Sequence, residues 1–277
     1  MDIEQLRTLL EVNRNRHFRM AAEALFVTQS AVSARIKKLE EELGVSLFER
    51  QTRNIQTTPE GNRLLRHAES IMAIWRRARQ DVALAEDSGV QLAVGGLFSL
   101  WDIFLQDWIS ALRNNIPRLS LLAESHDHDY LVRRLLDGAL DIIFVYEPPQ
   151  LEELLIREIA TVTLIMVSTE PDLSATQALA KNYIMVDWGY SYALQHTRQF
   201  PDAPAPAQRM NQARMALNFI MACGGTAYLA EQTVTGYLAE RRLYRVAEAP
   251  PIIRRAYAVY HRHSDRHDLI ANALDYL

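Results

Sequence analysis

Residues 18 to 40, FRMAAEALFVTQSAVSARIKKLE, constrain the fold of this chain more than any other stretch. Ala21, Ala22 and Ala24 with Leu25 predict a short helix from Phe18 to Leu25 that another helix can approach closely. Phe26 and Val27 interrupt it, and Thr28 is a good N-cap. Val32, Ile36 and Leu39 then recur at i, i+4 and i+7 as one buried stripe. The opposite face carries Gln29, Ser30, Ser33, Ala34 and Lys37, which are short, amide-bearing or cationic. Such a face suits a helix that enters a groove, with Gln and Ser able to reach base edges and Arg35, Lys37 and Lys38 near phosphates. Residues 28 to 39 therefore read as the recognition helix of a helix-turn-helix. An ordinary helical hairpin with a solvated polar face has the same local pattern, so the neighbouring sequence must decide between them.

Next comes EEELGVSLFERQTRNIQTTPEGNRLL, in which Gly44 can close the helix, Leu47 and Phe48 can pack beneath it, and Arg50 and Arg53 project from a short hairpin-like wing. Arginines on a wing beside such a helix suit phosphate or minor-groove contact. Thr57 or Thr58 then caps a new helix, Pro59 fits its first turn, and Glu60 favours its positive end. Leu64, Ala68, Ile71, Trp75, Ala78 and Val82 follow at alternating spacings of four and three, a heptad seam that predicts a partner helix. With residues 59 to 86 helical, the rod is roughly 40 Å long at ~1.5 Å per residue. The alternative is one amphipathic helix lying on its own domain.

At 277 residues, 49% hydrophobic and 23% charged, the chain suits two or three globular domains. The basic charge sits at the front: residues 1–80 hold 14 Lys/Arg against 10 Asp/Glu, and the remainder is acidic. A polyanion would therefore meet the N-terminal part. No signal peptide or membrane span is expected, and the single cysteine, Cys223, excludes an internal disulfide framework, so a cytoplasmic protein is expected. Cys223 itself reads as a small buried residue. His126-x-His128 and His261-x-His263 with His267 lack accompanying Cys or fixed acidic ligands, so no metal is expected. There is no phosphate-binding loop, dinucleotide fingerprint or nucleophile elbow, so neither a cofactor nor an enzyme is expected.

The segment FRMAAEALFVTQSAVSARIKKLEEELGVSLFERQTRNIQTTPEG resembles the DNA-binding segment of LysR-type transcriptional regulators. That pattern has an alanine-rich first helix, a Ser/Thr-Gln start to the second, a Leu-Glu-x-x-Leu-Gly-x-x-Leu-Phe-x-Arg continuation and a Thr-x-x-Gly start to a long helix. Ser30 departs from it where the family often has proline. The resemblance spans essentially the whole chain and implies a mixed fold: an N-terminal all-α winged helix-turn-helix with a long linker helix, then a two-lobed α/β effector domain like a periplasmic binding protein. The implied boundaries are 1–58, 59–88 and 89–277, with lobe I formed by 90–160 and 255–277 and lobe II by 161–254. The implied partners are double-stranded DNA with a pseudo-palindromic operator, a small-molecule effector, and further copies of the chain as a dimer and tetramer. SLWDIFLQDWISALRN, YEPPQLEELL and VDWG resemble a branch of the family that includes a repressor of a flagellar operon.

Beyond residue 89, apolar runs such as VQLAVGG, LSLLAES and LDIIFVYE alternate with helical patterns, which predicts parallel-rich sheets covered by helices. Ligands of such sheets lie beyond the carboxyl ends of strands. That selects Ser99, forming a capping pair with Asp102, and Ser125 with His126, then Tyr146, Trp188, Tyr190 and Thr226. A small polar, anionic effector is expected there. Each residue also has a plain reading: Ser99 as a cap only, Trp188 as core, the histidines as solvated loop.

Overall fold

The computed structural model describes residues 1–49, 55–84 and 89–277. Arg50 and Arg53 lie outside the described residues. The chain divides into two units, Met1–Ser88 with Asp137–Ala139, and Gly89–Leu136 with Leu140–Leu277.

The first unit runs α1 (Ile3–Asn15), α2 (Phe18–Leu25), α3 (Gln29–Leu43), β1 (Phe48–Glu49), β2 (Gln56–Thr57) and α4 (Pro59–Leu84). Asp2 and Gln5 form a reciprocal capping box that starts α1. Phe26 ends α2 in the left-handed region at φ 55°, which turns the chain sharply. Thr28 then caps α3 by accepting from the Ala31 amide at 3.2 Å. Val32, Ile36 and Leu39 are fully buried against Leu6, Leu9 and Val12 of α1 and Ala21 and Ala22 of α2. The two alanines leave room for the close approach. Gly44, at φ 70°, closes α3. Leu47 and Phe48 complete the floor. Phe48 pairs with Thr57 and Glu49 with Gln56 in a two-strand antiparallel ladder, where the hairpin-like wing was expected beside the helices.

Thr58, rather than Thr57, caps α4: its hydroxyl accepts from the Gly61 amide at 2.9 Å and donates to the Ser46 carbonyl at 2.8 Å. Gly61 lies so close to the Leu47 carbonyl that an added Cβ would meet its oxygen at 2.2 Å. Gly61→Ala is expected to destabilise the head by about 1–3 kcal/mol, because backbone, unlike a side chain, cannot swing aside. Urea unfolding of the full chain, followed through the head, checks this; unchanged stability would mean α4 slides freely on β1.

The heptad seam on α4 divides in two. Ala68 is fully buried, and Leu64 and Ile71 pack against the head's own core. Farther along, Trp75 is 45% exposed, Val82 is 74% exposed, and Ala78 is exposed. The N-terminal turns complete one protomer's core, and only the later positions remain open for a partner helix.

The second unit runs β3 (Val90–Gly96), α5 (Phe98–Leu100), a π-helical turn (Trp101–Leu105), α6 (Gln106–Asn115), β4 (Leu119–Ser125), α7 (His128–Leu136), β5 (Ile142–Val145) and β6 (Leu154–Ser168). It continues α8 (Ala175–Ala180), β7 (Tyr183–Val186), α9 (Tyr190–Gln199), β8 (Gln208–Met210), α10 (Ala213–Cys223), β9 (Thr226–Ala230), α11 (Glu231–Ala239), β10 (Tyr244–Arg245), β11 (Ile252–His261) and α12 (His267–Leu274). The strands form one path, β4-β3-β5-β11-β6-β9-β7-β8, with β10 added on β6. Its two ends are parallel, β4-β3-β5 and β9-β7-β8, and each belongs to one lobe. The antiparallel pair β6 and β11 crosses between them, with a register shift between Ala256 and Tyr257.

Strands covered on both faces read as continuous apolar runs, as IIFV of β5 and TAYLA of β9 do, and every residue of both is buried. β6 starts at Leu154, six residues before the ATVTLIMVST run, because its first part pairs with Tyr257–His261 of β11. Trp108 of α6 donates its indole N–H to the Ala273 carbonyl at 2.8 Å and meets Phe144 edge-on at 4.9 Å, fixing α6 and α12 on the sheet. Cys223 is exposed rather than buried, at the last residue of α10 before Gly224 caps it.

Candidate functional site

Two surfaces carry chemistry, one in each unit. On α3, Gln29, Ser30, Ser33, Ala34, Lys37 and Lys38 are exposed on the side opposite the buried stripe. Gln29 and Ser33 lie one turn apart, so both can meet a base edge from one docking. Thr28 is exposed too, but its hydroxyl is engaged with Ala31 and with Ser30 at 2.9 Å. Arg35 departs from the expectation of a free phosphate contact: it folds back on α1, 3.3 Å from Glu4 and 3.3 Å from the Thr8 hydroxyl. Its position one residue before Ile36 turns it toward the neighbouring helix. Lys37 is 3.6 Å from Glu41, an exposed pair that a phosphate can readily replace.

In the second unit a cavity of about 350 Å³ opens between the lobes. Lobe I contributes the ends of β3, β4 and β5, through Ser99, His126 and Tyr146; lobe II contributes the end of β7, through Trp188. Four of the seven expected ligand residues thus share one space. Three do not line it. Thr226 is buried and donates to the Ala178 carbonyl at 2.6 Å, so it secures β9 to α8. Tyr190 opens α9 but points to solvent, 75% exposed. Ser125, at the end of β4, has a buried hydroxyl without a hydrogen-bond partner among the described residues.

Ser99 is also not a cap. The N-cap of α5 is Leu97, with no side-chain hydrogen bond, and Asp102 turns instead to Arg214 of α10 at 3.5 Å, an ion pair between the lobes. The Ser99 hydroxyl donates to that of Tyr146 at 3.3 Å. Burial pushes the Tyr146 phenol up to about 12, outweighing the lowering effects of Ser99 and Arg254, so its proton stays on and is available to an acceptor in the cavity. His128 is spent on the Glu147 carbonyl at 2.6 Å, and His261 on the Leu135 carbonyl at 3.0 Å. Among the described residues, no group of His, Cys, Asp and Glu converges on a metal geometry.

Sequence reasoning missed Arg254 and Glu147. Arg254, on the crossing strand β11, lines the cavity although it is only 4% exposed. Its guanidinium lies 5.0 Å over the Tyr146 ring and 3.2 Å from Glu147. Burial would raise the Glu147 carboxyl, but the Ser191 amide and hydroxyl, together with Arg254, hold it below the usual range. The available signal was Arg254's place in IIRRAYAVYH, where one of two adjacent arginines must face inward.

Residues 3–62 match the family model described as a bacterial regulatory helix-turn-helix protein of the lysR family, and residues 85–277 match the LysR substrate binding domain. The HTH-type transcriptional regulator HdfR of Yersinia enterocolitica is 35% identical over 283 residues, covering 99% of this chain and 95% of that protein. The protein of the same name from Yersinia pestis (strain Pestoides F) is also 35% identical, with the same coverage. Among solved structures, the LysR-family regulator CbnR is similar with a TM-score of 0.81 at 18% identity, covering 100% of this chain and 98% of that one. Vibrio fischeri DarR in complex with DNA is similar with a TM-score of 0.61 at 21% identity, covering 100% and 99%. At these identities the structural likeness is one of fold. Among the described residues, no helix is long and apolar enough to cross a membrane.

Proposed function

Because this chain belongs to the lysR family of DNA-binding transcriptional regulators with an effector-binding domain, we propose that α3 reads a pseudo-palindromic operator and that a small anion in the cleft between the lobes changes how it does so. The ligand is bound and released, not consumed, and the protein works in the cytoplasm as a dimer joined along the exposed part of α4. The observation that carries this reading is the cavity walled by both lobes, with the buried cation Arg254 facing it. A ligand there shifts regulation only by binding two lobe arrangements with different affinity. No residue lining the cavity pairs a nucleophile with a base, so the cleft supplies binding groups rather than reaction groups.

The test has two steps. Sequencing the fragments that the purified protein retains from its own genomic DNA identifies the operator. A thermal-shift screen of small carboxylates then identifies ligands, and each hit is titrated against operator binding. Wild type should change operator affinity on adding the hit, and Ser99→Trp, which puts an indole where a lining hydroxyl stood, should abolish that change. A hit that acts equally on both proteins places the site elsewhere.

A further inference from the structure

Glu147 follows β5 in lobe I, yet its carboxylate serves lobe II. Its Oε1 accepts from the Ser191 amide in the first turn of α9 at 2.8 Å and from Arg254 Nη2 at 3.2 Å. Helix α9 has no side-chain cap of its own, since Gly189 stands at the N-cap. A carboxylate from the other lobe therefore satisfies the helix end. Gly189 makes that possible: at φ 95°, its missing Cβ would sit 3.1 Å from Arg254 Nη2 and 3.3 Å from Glu147 Oε1.

The receptor has more capacity than Glu147 uses. Arginine has five N–H donors in a planar fork suited to bidentate carboxylate binding. Arg254 is 4% exposed, and its Nε is buried with no hydrogen-bond partner among the described residues. Arg254 lines a cavity of about 350 Å³ with its Nη2 on Glu147, so an anion that takes the place of the Glu147 carboxylate meets the same guanidinium. Its occupant is replaceable, because the Glu147 side chain is 37% exposed. Three other carboxylates line the cavity, and each has a nearer partner than Arg254: Asp127 accepts from the Tyr130 amide at 2.9 Å, capping α7, Asp187 accepts from the Gly189 amide at 3.0 Å, and Asp129 lies 3.1 Å from the His128 ring.

We propose that Glu147 is a built-in stand-in for the effector: it occupies an anion receptor made of Arg254 and the N-terminus of α9, and the effector is a small carboxylate that displaces it. The proposal rests on the cleft reading above and adds what the ligand must replace. Displacement breaks the tie from lobe I to α9 and puts a free molecule in its place, which gives the ligand its differential affinity for the two arrangements. Glu147 is tethered and competes at high effective concentration, so it lowers the apparent affinity of the effector.

The experiment uses the full chain and defined probes, acetate and propionate, which replace the lost side chain of Glu147→Ala. In thermal-shift titrations, the stabilisation midpoint for propionate should fall at least tenfold in Glu147→Ala relative to wild type, and adding Arg254→Met should remove the response. Glu147→Gln, which keeps an acceptor for Ser191 but lacks the charge, should shift the midpoint in the same direction, and serves if the alanine variant does not fold. Equal midpoints in wild type and both variants overturn the proposal, as does stabilisation that survives Arg254→Met. Inorganic phosphate acting at the same concentrations as propionate overturns the assignment to carboxylates. Stabilisation of wild type by ethylamine that is lost in Glu147→Gln assigns the site to cations instead. A metabolite response that depends on Ser99, with no difference between wild type and Glu147→Ala toward propionate, removes the stand-in and leaves the cleft reading intact. Propionate uptake by Glu147→Ala without any metabolite acting on operator binding does the reverse.

Discussion

Trp75→Glu should separate the dimer and lower operator affinity by at least roughly a hundredfold, since specific affinities rest on two half-sites and one head alone offers half of the contacts. Trp75 is the appropriate position because it is 45% exposed on the part of α4 beyond the head's core. Ile71 obeys the same heptad spacing but packs against that core, so a charge there would damage the head itself. A glutamate introduced at an apolar seam removes the apolar indole and adds like-charge repulsion across the pair. Light scattering reads the oligomer, and operator titration reads the affinity. An unchanged oligomer with full affinity would make the exposed half of α4 a solvated face and nothing more.

Gln29→Ala should cost about 1–3 kcal/mol at the specific operator while leaving binding to random duplex nearly unchanged, because a bidentate amide contact to a base edge carries sequence information and a phosphate contact does not. Lys38→Ala, on the same exposed surface, should weaken all sequences alike and reduce the salt slope by about one charge. Together the two variants divide the helix into reading and positioning residues. Equal loss on specific and random DNA for Gln29→Ala would remove α3 from the role of recognition helix.

The parts of this protein legible in the sequence are those whose causes are local. The helix pair α2–α3 could be read because its cap, its buried stripe and its close-approach alanines all lie within the 23 residues of the opening stretch. Strands β5 and β9 were visible for the same reason, as apolar runs covered on both faces. The heptad spacing on α4 was also visible, but not its division. Periodicity states that Leu64, Ala68 and Ile71 share a face with Trp75 and Val82, and is silent on which of them an earlier helix of the same chain already covers.

The site shows the same boundary. Ser99, His126, Tyr146 and Trp188 were found because they follow predicted strands, and a strand's end is a local feature. Thr226 also follows a turn and opens a strand, yet its hydroxyl is spent on Ala178, 48 residues away in the chain. Arg35 was expected at a phosphate and instead meets Glu4 and Thr8.

Arg254 and Arg255 set out the division most plainly. They are neighbours of one residue type, and alternation along a strand requires that they face opposite ways. The sequence by itself determined no more than that opposition. Only the tertiary structure decided which: the register of β11 against β6 turns Arg255 outward to Glu158 at 3.3 Å and Arg254 inward to Glu147, beneath the N-terminus of α9. Periodicity along a strand is set by the backbone of that strand. The face that becomes a cleft is set by the hydrogen-bond register with strands far away in the chain, and that pairing energy is not written in any local window.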